Sequence, residues 1–146
     1  MESLRIKNND VYRIEVNDNG EYIEFDLRDI GLKAKCYQAL DDIDKIIDTY
    51  QPKLKEAQTD KEETLLEQQI FKKIRSAMDN FLGEGACQKI FGDRNYYEMF
   101  EDLMFELSKK RPELKGKSHL DILGFNAEKI AKRVQEKYKK ASKNVI

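Results

Sequence analysis

Cysteine and histidine are sparse in this 146-residue chain, and its many carboxylates show no spacing for joint work with them. Cys36 and Cys87 stand far apart, and neither forms a CxxC pair, so the spacing gives no support to a metal site or a thiol redox motif. No base neighbours either thiol to activate it, and both occupy apolar positions of a helical pattern. His119, the one histidine, has no cysteine beside it and reads as a linker residue rather than a base or ligand. The carboxylate pairs Asp41-Asp42 and Glu62-Glu63 fall on lysine-rich helix faces, where nothing drives their pKa values apart as acid–base catalysis needs. Around Asn17-Asp18-Asn19-Gly20, the residues Glu15, Asn17, Asn19 and Asp26 mimic part of a calcium loop. The Asp at position one and the bidentate Glu at twelve are both missing, and the segment reads as strand, so a solvated turn is expected. Gly83-Glu84-Gly85-Ala86 has too few glycines for a nucleotide fingerprint and no buried strand leading into it. The expectation is a protein that is not an enzyme, with no catalytic residue, metal or cofactor; a small hydrolase would need a buried polar constellation that is not there.

Two features carry binding chemistry instead. Tyr96, Tyr97, Met99, Phe100, Met104 and Phe105 surround more than one face of a helical stretch. Such a helix is either wholly buried or a protein-binding or self-association surface. The second feature is charge: residues 1–108 hold 15 Lys/Arg against 24 Asp/Glu, and residues 109–146 hold 12 against 4, nets of −9 and +8. Lys129, Lys132, Arg133, Lys137, Lys139, Lys140 and Lys143 make a solvated helix face, a contact for an acidic protein, or a contact for phosphates. Aromatic residues do not interleave with these bases in the stacking pattern of single-strand binders, which counts against the last.

The elements that must position these residues follow from periodicity. Tyr12, Ile14 and Val16 alternate with polar residues, as do Ile23, Phe25 and Leu27, and the Asn-Asp-Asn-Gly between them predicts a β-hairpin over residues 11–27. A lone hairpin is marginal in water, so its apolar face must lie on helices or on a second copy. From residue 32 the period becomes helical through Cys36, Leu40, Ile43, Ile47 and Tyr50, with Pro52 expected to end or bend the helix. Residues 53–63 show no clear stripe and read either as a connector or as a solvated extension of one of the neighbouring helices. Thr59 or Asp60 is a candidate cap for a helix carrying Leu66, Ile70, Ile74, Met78 and Phe81, which stops at Gly83. A short helix over 86–91 and another over 96–107 follow. Beyond an irregular link, residues 126–141 predict a basic helix with a thin stripe of Ile130, Val134 and Tyr138. The fold class expected is α+β, mostly α: an N-terminal hairpin packed on a three- to four-helix bundle, with the basic helix last. Residues 1–112 are expected to form the hairpin and helical core, and 113–146 the linker and basic terminal helix.

Composition agrees with long amphipathic helices: 38% charged, 40% hydrophobic, two prolines and no tryptophan. No stretch approaches the roughly 20 apolar residues needed to span a bilayer. Residues 1–10 contain no apolar run, so no signal peptide is expected. Few cysteines fit a reducing compartment, and a cytoplasmic location is expected.

Two blocks resemble a known family. Asn17-Asp18-Asn19-Gly20-Glu21, Ile23-Glu24-Phe25-Asp26-Leu27 and the helix-opening Lys35-Cys36-Tyr37 are similar to the start of small tail-assembly chaperones from phages and prophages of Gram-positive bacteria. Phe81-Leu82-Gly83-Glu84-Gly85-Ala86-Cys87-Gln88-Lys89-Ile90-Phe91-Gly92-Asp93 resembles the same family more closely. The resemblance spans residues 11–110, and nothing from residue 116 onward takes part in it. It implies a non-catalytic viral protein, active in the host cytoplasm during tail morphogenesis, that coats the helical tape measure protein, and an oligomer that can self-associate through its strand edge. The apolar pattern places partner binding on Tyr97, Phe100, Met104 and Leu107, with Leu66 and Ile70 next. The alternative is a small phage regulatory or nucleic-acid-binding protein that uses the basic terminal helix.

Overall fold

The computed structural model of the chain describes residues 1–6, 11–26 and 29–109. The expected basic helix, His119 and Pro112 lie outside the described residues. Within them the chain is mostly helical, with one antiparallel hairpin ahead of four helices.

Strands β1 (Val11–Glu15) and β2 (Tyr22–Asp26) pair with Tyr12 opposite Phe25 and Ile14 opposite Ile23. This register puts all four apolar side chains on one face, because side chains alternate along a strand. Asn17 shapes the reversal. Its Oδ1 accepts from the N–H groups of Asn19 at 2.9 Å and Glu21 at 3.3 Å. Gly20 supplies the positive φ of +78° that the turn requires.

Helix α1 (Gly31–Glu56) begins where Asp29 Oδ1 accepts the Gly31 N–H at 2.8 Å. It buries Leu32, Cys36, Ala39, Leu40, Ile43, Ile47 and Tyr50 along one stripe. Pro52 does not end the helix, the first of the two outcomes expected for it: α1 runs on to Glu56. Proline removes one intrahelical bond, the one to the Asp48 carbonyl, and both residues lie on the exposed side, where water can reach that carbonyl. Beyond the proline, Leu54 still packs against the core and holds the last turn down. The helix therefore carries a local penalty that tertiary contact offsets. Pro52→Ala is expected to raise stability by about 1–3 kcal/mol, read as a shift in urea midpoint. No gain would mean that the proline is already accommodated without cost.

Helix α2 (Asp60–Leu82) is capped by Thr59, whose Oγ1 accepts the Glu62 N–H at 3.1 Å. Glu62 reaches back to the Gln58 N–H at 2.9 Å, so the pair forms a variant capping box. The polar stretch 53–63 thus divides into the end of α1, a short turn and the first turn of α2. Tyr50 donates to Gln69 across the antiparallel pair at 3.3 Å and marks its register. Gly83, at φ +114°, ends α2. Helix α3 (Ala86–Phe91) follows, then α4 (Met99–Ser108).

The core is one cluster. Ile23 and Phe25 of the hairpin, the α1 stripe, Ile70 to Leu82 of α2, Ala86 and Cys87 of α3, and Met99 to Leu107 of α4 all contribute. Phe25 lies 5.9 Å, centroid to centroid, from Phe81, which seats β2 on α2.

Candidate protein-binding surface

The six residues expected to bind a partner do not share an open surface. Ile70, Phe100, Met104 and Leu107 are core residues, 2%, 0%, 0% and 3% exposed. Leu66 and Tyr97 are half-buried and packed against that core. The expectation failed at α4 for a definite reason. Met99, Phe100, Leu103, Met104 and Leu107 all turn inward, Phe105 is half-buried, and the acidic residues Glu98, Asp102 and Glu106 are exposed to solvent. An all-round apolar helix fits either burial or display, and here burial wins.

Tyr97 sits at the rim. Its ring lies 5.1 Å from that of Phe71, and its hydroxyl donates to Glu67 Oε2 at 3.2 Å. Burial first, and the carboxylates of Glu67 and Glu63 next, push the phenol well above its usual range, so it stays a donor. This contact ties the segment before α4 to the middle of α2.

What remains exposed and apolar lies elsewhere. The Tyr50–Gln69 register brings Leu54, at the end of α1, level with Leu65 and Leu66 near the start of α2. Leu65 is 49% exposed, and Leu54 and Leu66 are half-buried. Around them stand Lys53, Lys55, Glu62 and Glu63, a charged rim about a small apolar patch. A sequence signal for it existed: Leu54 continues the α1 stripe one turn past Tyr50, through Pro52. Tyr22, Tyr37 and Ile30 are further exposed apolar residues, 40%, 39% and 78%.

A second arrangement, invisible to periodicity, organises the glycine-bounded turns. The Arg75 guanidinium donates to Asn95 Oδ1 at 2.7 Å, to the Gly92 carbonyl at 2.7 Å and to the Arg94 carbonyl at 2.6 Å. One turn further along α2, Asp79 Oδ1 accepts the Cys87 N–H at 2.9 Å. Two side chains of α2 therefore fasten the start of α3 and the loop that delivers α4. They also line an open groove of about 540 Å³ with Lys72, Ser76, Asn80 and Glu84. Arg75 and Asp79, two of the six residues lining the groove, are committed to holding the neighbouring turns. The hairpin is fastened in the same way, by Asn17 Nδ2 donating to the Lys89 carbonyl at 3.0 Å.

Neither cysteine is placed for chemistry. Burial pushes the Cys36 thiol up to about 12. Cys87 is also pushed up to about 12, by burial and then by the neighbouring Asp79 carboxylate. A buried, protonated thiol is a poor nucleophile. Among the described residues no group of His, Cys, Asp and Glu side chains is arranged to hold a metal ion, and no helix is long and apolar enough to cross a membrane. Comparison with known proteins returned no matching family model, no matching curated protein and no matching solved structure.

Proposed function

We propose that the chain is a non-catalytic protein-binding module for a helical partner, acting as a phage tail assembly chaperone on the tape measure protein in the host cytoplasm. The observation that carries the binding reading is the apolar patch of Leu54, Leu65 and Leu66 beside the turn that joins α1 to α2, ringed by charge. A long apolar helix needs such a surface: a few leucines to receive its stripe, and charges around them to keep the complex soluble. The chaperone reading rests on the likeness of residues 17–27, 35–37 and 81–93 to that family. In this structure the second block is the end of α2, the Gly83–Gly85 turn and α3, the region that Arg75 and Asp79 hold.

The test is co-expression with the largest helix-rich protein encoded beside this gene, with mass and stoichiometry read by light scattering. Many copies on one long partner are expected. A monomer or dimer that ignores the partner overturns the reading. Leu65→Glu, at a half-exposed position, is expected to leave the fold intact and weaken the complex about tenfold, the loss of roughly one leucine contact. Unchanged binding would remove the patch from the interface.

A second reading has its own observation, the +8 net charge of residues 109–146. Binding of DNA through those bases would weaken steeply with salt, and a salt titration separates it from the first reading.

A further inference from the structure

The two-stranded sheet is unfinished on the β1 side. Among the described residues nothing pairs with the outer edge of β1. The bonding pattern shows what that edge presents. Val16 N–H donates to Glu21 O at 2.9 Å, next to the turn. Antiparallel pairs alternate between bonded and non-bonded, so Ile14–Ile23 and Tyr12–Phe25 exchange bonds within the hairpin. The N–H and C=O groups of Val11, Arg13 and Glu15 therefore point outward. Burial falls toward the same edge: Ile23 and Phe25 are 4% and 2% exposed, whereas Tyr12, Ile14 and Val16 are only half-buried against the core. The apolar face ends one strand too soon.

The chain carries a segment with the missing strand's chemistry. Residues 1–6 belong to no helix or strand, and Leu4 and Ile6 are 90% and 76% exposed. They lie two residues apart, the spacing that puts both on one face of a strand, with Arg5 on the other. In its own copy this arm lies off the sheet.

We propose that residues 1–6 of one copy add to the outer edge of β1 in a second copy. Opposite charges choose the register. Arg5 opposite Glu15 sets Leu4 and Ile6 beside Ile14 and Val16, and the half-buried rim of the core is covered. Backbone bonds to Arg13 and Glu15 give the contact its strength, and the two apolar side chains give it its face. The proposal stands independently of the tape measure reading, since it concerns only copies of this chain.

Sedimentation equilibrium on the full chain tests it, with two variants. Leu4→Ser/Ile6→Ser removes the arm's apolar face at positions that are largely exposed in the monomer. Glu15→Pro removes an outward N–H while leaving the inward ladder bonds in place. The wild type is expected to sediment as a dimer or larger, and each variant as a monomer with an unchanged circular dichroism spectrum. Mixed, the two variants are expected to form a 1:1 complex, because one retains the edge and the other the arm. A wild type that stays monomeric at high micromolar concentration overturns the proposal. So does an arm variant that associates as the wild type does, or a folded pair of variants that ignore each other when mixed.

Discussion

Phe100→Ala is expected to cost about 3–5 kcal/mol of stability, the cost of emptying a phenylalanine site in a packed core. Phe100 is fully buried, on a helix whose inward face also carries Met99, Leu103, Met104 and Leu107. A chain of this size has about 5–15 kcal/mol in total, so the variant sits close to unfolding at moderate denaturant. Urea melts by circular dichroism and tyrosine fluorescence check it. A loss under about 1 kcal/mol would mean that the site collapses easily and that α4 is loosely held. The consequence for function is practical. Glutamate at Phe100 or Met104 would bury a charge in an apolar core and unfold the chain, so a loss of partner binding in such variants reports the fold and not the interface.

The second large effect is at Arg75. Removing its side chain deletes three hydrogen bonds from a charged donor and leaves the Gly92 and Arg94 carbonyls and the Asn95 amide oxygen to find other donors. Arg75→Ala is expected to cost about 2–3 kcal/mol, discounted because Arg94 and Asn95 are exposed to water. Arg75→Lys is expected to recover little of it. A single ammonium cannot span acceptors on three residues as the planar fork does. Amide exchange should accelerate first in α4, since the loop that delivers this helix is the part released. A melt unchanged by Arg75→Ala would show that the loop from Gly92 to Asn95 holds its shape without the staple.

The sequence was legible where local signals decide. Alternation and the Asn-Asp-Asn-Gly turn located the hairpin, and Gly83, Gly85 and Gly92 located the ends of α2 and α3. At Pro52 it left open whether the helix ends or bends, and packing of the turn beyond it carries the helix on to Glu56. It was ambiguous at α4, because apolar residues on several faces look the same whether neighbours cover them or not. Four of the six residues expected at an interface were therefore core. Arg75 was unreadable for another reason: its acceptors lie 17 to 20 residues away and are mostly backbone carbonyls, which no side-chain pattern encodes. The patch beside the α1–α2 turn was hidden in the polar stretch 53–63, where Leu54 continues the α1 stripe by a single residue.

The two buried thiols make the protein its own stopwatch. Cys36 and Cys87 are sealed in the native core and held protonated, so an alkylating reagent reaches them only when the chain opens. Cys36 lies in the middle of α1 and Cys87 at the start of α3, and whole-molecule opening would modify both at one rate. If the α3 end peels away by itself, Cys87 would react ahead of Cys36, and the ratio of the two rates would give the free energy of that partial opening without any introduced label.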